Sequence, residues 1–444
     1  MNKEAKQEAA RFVEERAAAF ETVCDAIWGF AELRFQEHRS SALQQSFLED
    51  EGFRITSPIG PLDTAFVAEY GQGKPVIALV GEFDALPGLS QVAGLAEKKE
   101  REPGGNGHGC GHHLLGTAAM EAAVAVKRWM ETHRAGGTVR YYGCPGEERG
   151  CGKVYMIRAG AFQDVDAALS WHPDQCSFRF DNSMASCSVI FSFHGRAAHA
   201  AVNPHLGRSA LDAAELANIG VNFLREHLPV GVSIQYAFAD AGCRETNIIP
   251  DYAAVEYTIR ALSKQDMDET YQRVKEIASG AAMMTGTQAE QSSVTSAYSN
   301  ILKNETLLAL IGENEALFPL AGFTEADLQQ AAAFSTPGAK PSLDEAGFPV
   351  ESLRASADFG DVSYVVPSAA FAMTTFAVGT ALHSWSAVAQ GKLAYAHKGM
   401  HRAAKILAAT ALDLFLEPEW LARAQGEFEE RTGGRPYASL LPPR

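Results

Sequence analysis

Residues 104–116 read GGNGHGCGHHLLG, a Gly-rich segment that concentrates one cysteine and three histidines. Cys110 and His112 are two residues apart, so on a flexible loop both side chains can turn toward one ion, and an apolar helical pattern starts at Leu114. A thiolate and an imidazole together suit zinc or a similar first-row metal. The alternative is a Gly-rich turn whose histidines are only solvated. This segment alone leaves that alternative open.

Acidic or histidine side chains follow several predicted strands. Short, continuously apolar runs are typical of strands buried on both faces, and in open α/β sheets ligands bind at the carboxyl ends of the strands. The runs are residues 76–80, 138–143, 167–170 and 369–378, and they precede, respectively, Glu82 and Asp84, Glu147 and Glu148, His172, and His383. This repetition predicts that these side chains meet at one edge of a sheet.

The composition is that of a soluble globular protein, with 46% hydrophobic and 21% charged residues. A formal net charge of −16 argues against a nucleic-acid partner, because phosphate binding needs a basic face. The charged amphipathic start is unlike a signal peptide, and the most apolar late stretch, residues 364–378, is interrupted by Pro367, so we expect no membrane span. Seven cysteines, an odd number without a tight framework, predict reduced thiols and a cytoplasmic protein.

The length of 444 residues predicts two domains. The pattern changes near residue 186, where strands alternate with two helices over about a hundred residues, as in a small α+β sandwich. We therefore predict an α/β fold: a metal-binding domain of residues 1–185 and 298–444, with a mixed, mostly parallel sheet flanked by helices. Residues 186–297 would form an inserted α+β (ferredoxin-like) domain.

Six motifs occur in one order between Gly107 and Trp385. They are Gly-His-Gly-Cys-Gly-His, Pro-Gly-Glu-Glu, Trp-His-Pro, Gly-Arg-Ala-Ala-His-Ala, Asn-Ile-Ile-Pro-Asp and Leu-His-Ser-Trp. In this order they resemble the dinuclear metallopeptidase family that includes the aminoacylases and glutamate carboxypeptidases. The likeness is strongest to its cysteine-liganded amidohydrolase branch, and within it to the B-subunit type of p-aminobenzoyl-glutamate hydrolase. It covers nearly the whole chain.

The resemblance implies two divalent metal ions per chain, zinc or manganese. Cys110 matches a bridging thiolate, and Glu147 matches a general base that takes a proton from water and returns it to the leaving amine. A two-metal site suits amide hydrolysis because it can polarise the scissile carbonyl and hold the attacking water. The other implied ligands are His112, Glu148, His172 and His383.

The resemblance also implies a role for the inserted domain in dimerisation and as a lid. His199 matches a family histidine that reaches the active site of the partner subunit and stabilises the oxyanion. We therefore expect a homodimer through the inserted domain, with a heteromer as the alternative. Asn247 and Arg260 match positions near the carbonyl or carboxylate of the substrate, although Arg260 could simply pair with a neighbouring acid.

The chain departs from the family pattern at three points. His113 stands where the family usually has Asp or Asn, and it could alter the surroundings of the ligands or supply another nitrogen. Glu82 replaces a histidine that is a metal ligand in many members, so we expect Asp84 to orient a ligand rather than bind metal. Arg244 and Glu245 occupy a segment that is usually small and Gly-rich, which indicates an unusual substrate pocket.

Several further polar residues are expected to be structural. His108 is expected to form a hydrogen bond in its loop, and Asp361 either caps a helix or lines the pocket. Small core or rim positions are expected for Cys144, Cys151, Cys176 and Cys187.

The expected activity is hydrolysis of the amide bond between an acyl group and an amino acid. We expect the acyl group to be aromatic. The substrate would be p-aminobenzoyl-glutamate or another N-acyl amino acid or dipeptide. One alternative is hydrolytic deamination of an aromatic amine at the same metals, with release of ammonia. Another is a catalytically silent subunit of a heteromeric hydrolase, against which the complete set of Glu147, five ligands and His199 argues.

Overall fold

The computed structural model describes residues 2–243, 245–319, 322–336, 342–343 and 355–442. The helices are α1 Lys3–Phe30, α2 His38–Asp50, α3 His112–His133, α4 Glu147–Gly150, α5 Gly152–Arg158, α6 Ala210–Leu224, α7 Lys264–Thr285, α8 Glu305–Leu317, α9 Glu325–Ala332, α10 Phe359–Val362, α11 Trp385–Gln390, α12 Ala394–Leu416 and α13 Pro418–Thr432. The strands are β1 Arg54–Thr56, β2 Phe66–Gln72, β3 Val76–Glu82, β4 Gly137–Cys144, β5 Ala167–Asp174, β6 Phe178–Arg179, β7 Ala185–His194, β8 Ala198–His199, β9 Ser233–Asp240, β10 Ile248–Ile249, β11 Tyr252–Ala261, β12 Gln288–Tyr298 and β13 Ser368–Thr374. Short 3₁₀ turns occur at Pro204–Leu206 and Arg225–His227.

The described residues divide into two compact units. The larger contains the chain up to Asp181 and most of the described chain from Leu302 onward, and the smaller consists mainly of Asn182–Ile301. No helix of the described residues is both long enough and apolar enough to cross a membrane.

The larger unit is built on one mixed sheet, with strand order β1-β2-β4-β3-β5-β13-β6. The inner strands β4, β3, β5 and β13 pair in parallel, whereas β1, β2 and β6 pair antiparallel. The predicted α/β class with a mixed sheet is confirmed, and its parallel character is limited to the four inner strands. Because parallel strands end at the same edge, the segments after β3, β4, β5 and β13 start close together.

The core of the larger unit explains why these segments form a sheet covered by helices. Every residue of β3 is buried, as expected of an apolar strand with both faces covered. Helix α3 is buried along nearly its whole length and packs against α1, α12 and β3. The apolar residues of these elements form one continuous hydrophobic core.

One predicted boundary was wrong. Helix α3 begins at His112, not at Leu114, so His112 lies in the first helical turn. Helix α1 ends at Phe30 because Ala31 takes a left-handed conformation with φ +45°. Helix α12 begins at Ala394, and α13 follows it.

The smaller unit has the α+β arrangement that the alternating pattern predicts. Its antiparallel sheet has the strand order β12-β7-β11-β9. The chain runs β7, α6, β9, β11, α7, β12, which is the ferredoxin-like order of strands and helices. A separate ladder joins β8 to β10, where His199 lies opposite Ile248.

A buried ion pair holds α1 against α12 in the larger unit. Lys6 Nζ lies 2.6 Å from Asp413 Oδ2, with side-chain exposures of 0% and 1%. Asn314 of α8 also donates to Asp413 Oδ2, at 2.9 Å. Removing one partner of such a pair leaves the other charge buried without compensation.

We therefore expect Asp413→Ala to lower the free energy of unfolding of the larger unit by about 3–5 kcal/mol. The measurement is urea unfolding followed by tryptophan fluorescence, because all five tryptophans lie in the larger unit. The control is Glu14→Ala, which removes an exposed pair between the same two helices, Lys405 Nζ to Glu14 Oε1 at 2.6 Å. That change is expected to cost less than about 1 kcal/mol. Equal losses in the two variants would contradict the role of the buried pair.

Candidate metal centre

The predicted metal ligands lie together in the larger unit. Their ligand atoms form groups within 4.8 Å of one another, and two of these groups share Cys110. The groups are Cys110 with His112 and His172, Cys110 with Glu148 and His383, and Glu82 with His112 and Glu147. The shared thiol makes the arrangement one cluster with two halves.

Glycine allows the Cys110 loop to approach its neighbours. Gly111 precedes α3 with φ +80°, a left-handed conformation that non-glycine residues rarely adopt. A Cβ at this position would lie 2.9 Å from Cβ of Pro173. The loop can therefore pass directly beside the segment that carries His172.

Asp84 connects the two halves of the cluster. Its Oδ1 lies 2.8 Å from Nδ1 of His112, and its Oδ2 accepts the backbone N–H of Glu148, also at 2.8 Å. Burial alone would raise the pKa of Asp84, but the neighbouring His112 and the backbone of Glu148 hold it below its ordinary value. One buried carboxylate thus orients one implied ligand from α3 and another from the turn after β4.

Nε2 of His112 faces a second carboxylate on the side away from Asp84. It is buried without a hydrogen-bond partner, and the nearest carboxylate oxygen is Oε2 of Glu82, 3.3 Å away. Burial would lower the pKa of His112, but Asp84 and Cys110 raise it well above its ordinary value, so without a metal ion the ring carries a proton on each nitrogen. A metal ion would take the place of the Nε2 proton, because a histidine must lose that proton to bind metal. The donor atoms therefore fit a metal ion.

Cys110 and His172 provide a similar pair. His172 Nδ1 donates to the carbonyl of Pro173 at 2.7 Å, which directs Nε2 toward Sγ of Cys110, 3.4 Å away. Burial would raise the pKa of the Cys110 thiol, but His172 and His112 hold it well below its ordinary value. The thiolate form is the one that binds metal. Because protons compete with metal for these atoms, affinity is expected to rise with pH.

His383 reaches the cluster through a strained backbone. Its φ of +58° is unusual for a non-glycine residue, and its N–H donates to the carbonyl of Gly109 at 2.8 Å. Its Nε2 lies 3.1 Å from Oε1 of Glu148. Hydrogen bonds to Cys110 and Glu148 raise the pKa of His383 to about 10. Strain of this kind persists where the surroundings impose it, and it is common at functional sites.

Glu82 and Lys153 form a buried ion pair that sequence reasoning missed. Lys153 Nζ lies 2.5 Å from Glu82 Oε1, and both side chains are at most 5% exposed. The pair leaves Oε2 of Glu82 directed at His112. The sequence placed Glu82 at the sheet edge and as the replacement of a histidine ligand, but it did not predict this ion pair. Nothing in the spacing indicated Lys153.

Other residues that drew attention lie outside the cluster. His113 does not join it, because its Nε2 donates to the carbonyl of Gly391 at 2.9 Å. His108 Nε2 lies 3.1 Å from the carbonyl of Ile27. Asp361 lies in the short helix α10, where it accepts a hydrogen bond from Tyr437 at 2.7 Å, and it does not belong to the ligand groups. Buried positions are taken by Cys144, Cys151, Cys176 and Cys187.

The remaining predicted site residues belong to the smaller unit. His199 is exposed on β8, and its Nδ1 accepts the backbone N–H groups of Ala201 and Val202, each at 3.2 Å. Asn247 is exposed beside β10. Arg260 is half-buried on β11, where Nη1 donates to Ser356 Oγ at 3.3 Å. Arg244 lies outside the described residues, and its neighbour Glu245 is exposed.

We expect Asp84→Asn to weaken Zn²⁺ binding by about 10- to 100-fold, as is typical when a partner that orients a ligand is lost. The carboxamide has one acceptor oxygen, so it cannot accept hydrogen bonds from both His112 Nδ1 and the backbone of Glu148. The measurement is the dissociation constant for Zn²⁺ in competition with a chromophoric chelator.

The control for this variant is Asp164→Asn, at an aspartate that is 56% exposed and pairs with Arg140 at the surface of the same unit. It should bind Zn²⁺ as the wild type does. Wild-type affinity in Asp84→Asn would show that Asp84 does not organise the site.

Comparisons with known proteins show which family the chain belongs to. Residues 183–283 match the family model described as "Peptidase dimerisation domain". The chain is 42% identical to the B-subunit of p-aminobenzoyl-glutamate hydrolase from Escherichia coli, over 98% of each chain.

Two solved structures share the fold at low sequence identity. One is an aminobenzoyl-glutamate utilization protein from Klebsiella pneumoniae, with a TM-score of 0.61 and 16% identity, covering 91% of this chain and 97% of that one. The other is a dinuclear metal-binding peptidase of the M20 family from Bacillus subtilis, with a TM-score of 0.58 and 19% identity, covering 88% and 99%. With the full-length relative at 42% identity, this chain belongs to the M20 peptidase family and is a hydrolase that acts on carbon–nitrogen bonds.

Proposed function

We propose that this protein binds two divalent metal ions, zinc or manganese, and hydrolyses the amide bond between an aromatic acyl group and an amino acid. The proposed substrate class is p-aminobenzoyl-glutamate and similar N-acyl amino acids. The observation that carries the proposal is the pair of ligand groups that share Cys110, with Glu147 beside them. The full-length relative named for hydrolysis of p-aminobenzoyl-glutamate supports the substrate class.

The residues that would hold the ions follow from the two ligand groups. Cys110 would bridge them, with His112 and His172 on one side and Glu148 and His383 on the other. Thiolate and imidazole suit zinc, and the carboxylates also allow manganese. When bound, two such ions polarise the scissile carbonyl and lower the pKa of water.

Glu147 is the proposed general base. It is buried and belongs to the group with Glu82 and His112, but it is not needed in either of the groups that contain Cys110. In the proposed reaction its carboxylate takes a proton from the attacking water. It then returns that proton to the amine nitrogen as the C–N bond breaks.

His199 is the proposed donor to the oxyanion of the tetrahedral intermediate. Its Nδ1 already accepts two backbone N–H groups, so the neutral ring carries its proton on Nε2. That leaves one N–H on an exposed side chain to donate to a negatively charged oxygen. Asn247 and Arg260 are proposed to contact the carbonyl and carboxylate groups of the substrate.

We further propose a homodimer formed through the smaller unit. Strand β9 lies at the edge of its sheet and carries exposed Tyr236 and Phe238. Helix α6 exposes Ile219 and Phe223, and Arg225 just after it donates to the carbonyl of Ile234 on β9. An exposed edge strand next to apolar side chains is typical of a surface that pairs with another chain.

A heteromer is the second candidate, because the relative at 42% identity is itself named as a subunit. Purification of the chain alone separates the two: activity without a second subunit supports the homodimer.

The proposed location is the cytoplasm, supported by seven cysteines that are all free.

We expect Glu147→Gln to lower kcat on p-aminobenzoyl-glutamate by about 10²- to 10⁴-fold, the usual contribution of a general acid–base group. Metal content should stay at about two ions per chain, because the amide replaces a group outside the bridged ligand set. The measurements are release of p-aminobenzoate and glutamate, and elemental analysis of the purified protein.

The matched variant is Glu148→Gln at the adjacent position, which is expected to lose both metal and activity. Full activity in Glu147→Gln would contradict the assignment of the base. Release of ammonia from an aromatic amine, with no cleavage of the amide, would instead support hydrolytic deamination.

A mixing experiment tests whether His199 acts in the partner's site. His199→Ala is expected to lower kcat by about 10²- to 10³-fold, as for the loss of one oxyanion donor. When it is mixed with Glu147→Ala under conditions that exchange subunits, activity should recover to about one quarter of wild type. Half of the dimers are then mixed, and one of their two sites combines Glu147 with His199 of the other chain.

Light scattering before mixing tests whether each variant is dimeric. Each variant mixed with itself is the control. Absence of recovery despite subunit exchange would mean that His199 serves its own chain or takes no part in the reaction.

A further inference from the structure

The turn that carries Glu147 and Glu148 has an unfavourable backbone. Gly146 has φ +65°, and the non-glycine residues Arg149 and Cys151 have φ +62° and +57°. Left-handed conformations at non-glycine residues cost about 1–2 kcal/mol each. Contacts from elsewhere in the larger unit must therefore hold this turn in place.

Those contacts come from the segment that joins α1 to α2. The Phe35 ring packs against the turn so closely that a Cβ on Gly146 would lie 2.7 Å from it, and one on Gly150 would lie 2.8 Å away. Arg34 adds a hydrogen bond from Nη1 to the carbonyl of Glu148, at 3.3 Å. The segment therefore contacts the turn at both ends of the Glu147–Glu148 pair.

The strongest contact is a buried carboxyl group. Glu37 is 0% exposed, and its Oε1 accepts the backbone N–H of Gly146 at 2.9 Å. Its Oε2 accepts a hydrogen bond from Thr64 Oγ1 at 3.0 Å, which fixes the orientation of the carboxyl group. We propose that Glu37 is a positioning residue that holds the Gly146–Cys151 turn, and so places Glu147 and Glu148 for metal binding and catalysis. This inference rests on the proposed function for the roles of those two carboxylates.

The physical effect of losing Glu37 follows from the geometry of the turn. Without an acceptor, the buried N–H of Gly146 is left unsatisfied, and the strained turn can relax away from the cluster. A displacement of about 1 Å at a catalytic group can cost about 10²-fold in rate. Because Glu37 touches neither metal ligands nor substrate in the proposed scheme, KM should change little.

Glutamine is a close substitute that separates positioning from charge. Burial, and then the negative charge of Asp84, raise the pKa of Glu37 to about 8, so the side chain is mostly the uncharged acid at neutral pH. A Gln at this position can accept from Gly146 through its oxygen. Its nitrogen can donate to Thr64, whose hydroxyl then acts as acceptor instead of donor. A role in positioning therefore survives Glu37→Gln and not Glu37→Ala.

The experiment compares Zn²⁺ affinity, kcat and KM among four proteins: the wild type, Glu37→Ala, Glu37→Gln and Glu32→Ala. We expect Glu37→Ala to weaken Zn²⁺ binding by about tenfold and to lower kcat by about 10- to 100-fold, with KM within about threefold of wild type. Glu37→Gln should restore both quantities to within about threefold. Should Glu37→Ala fail to fold, Glu37→Asp, whose shorter side chain draws the carboxyl group away from Gly146, replaces it.

Glu32→Ala is the matched control on the same segment. Its carboxylate accepts from the backbone of Arg39 and from Ser40 in the first turn of α2, at 2.8–3.0 Å, rather than from the Gly146–Cys151 turn. It is expected to lower thermal stability but to keep the Zn²⁺ affinity and kcat of the folded protein.

Equal losses in Glu32→Ala and Glu37→Ala, or wild-type values in Glu37→Ala, would overturn the proposal. A wild type that binds Zn²⁺ but cleaves no amide would overturn the proposed substrate, while the affinities would still decide the role of Glu37. A wild type that binds neither Zn²⁺ nor Mn²⁺ would overturn both proposals.

Discussion

The centre depends on one buried carboxylate, that of Asp84. One of its oxygens contacts the His112 ring, and the other accepts the backbone N–H of Glu148. The same carboxylate therefore holds both helix α3 and the turn after β4. Asp84 can do this because it closely follows β3, whose residues are all buried. The position of this central strand thus determines where the side chains of two other elements lie. Precision of this kind is what a site with several ligands requires.

A second constraint is that the cluster concentrates titratable groups. His112 Nε2 lies 3.3 Å from Glu82 Oε2, and Cys110 Sγ lies 3.4 Å from His172 Nε2. Without a metal ion, protons on the two histidines compensate the carboxylate and the thiolate, and a metal ion would displace those protons. His112, Glu82 and Cys110 are buried, and a buried charge without a partner is costly. Metal binding to these polar groups should therefore contribute to the stability of the folded chain.

Part of this arrangement could be predicted from the sequence, because parallel strands end at one edge of the sheet. Glu148 and His383 follow inner strands, and His172 lies near the end of β5. The assignment of these residues as ligands, together with Cys110 and His112, came from the family resemblance. Contacts between distant segments could not be predicted. The bond from Glu37 to Gly146 spans 109 positions, and no periodicity marks either residue. The direction of His113 depends on Gly391, 278 positions away. The start of α3 at His112 was missed because glycine and histidine are poor helix formers, and tertiary packing overrides that preference.

The proposed roles of the two units have a physical consequence. All atoms that would bind the metals, together with Glu147, come from the larger unit, whereas His199 belongs to the smaller one. Metal binding needs only the geometry inside the larger unit, which Asp84 and the Gly146–Cys151 turn define. Stabilisation of an oxyanion by His199 needs a second unit in the correct position, whether from the same chain or from a partner. Metal affinity and catalytic rate should therefore respond to different sets of substitutions. Such a separation would support the role proposed for His199.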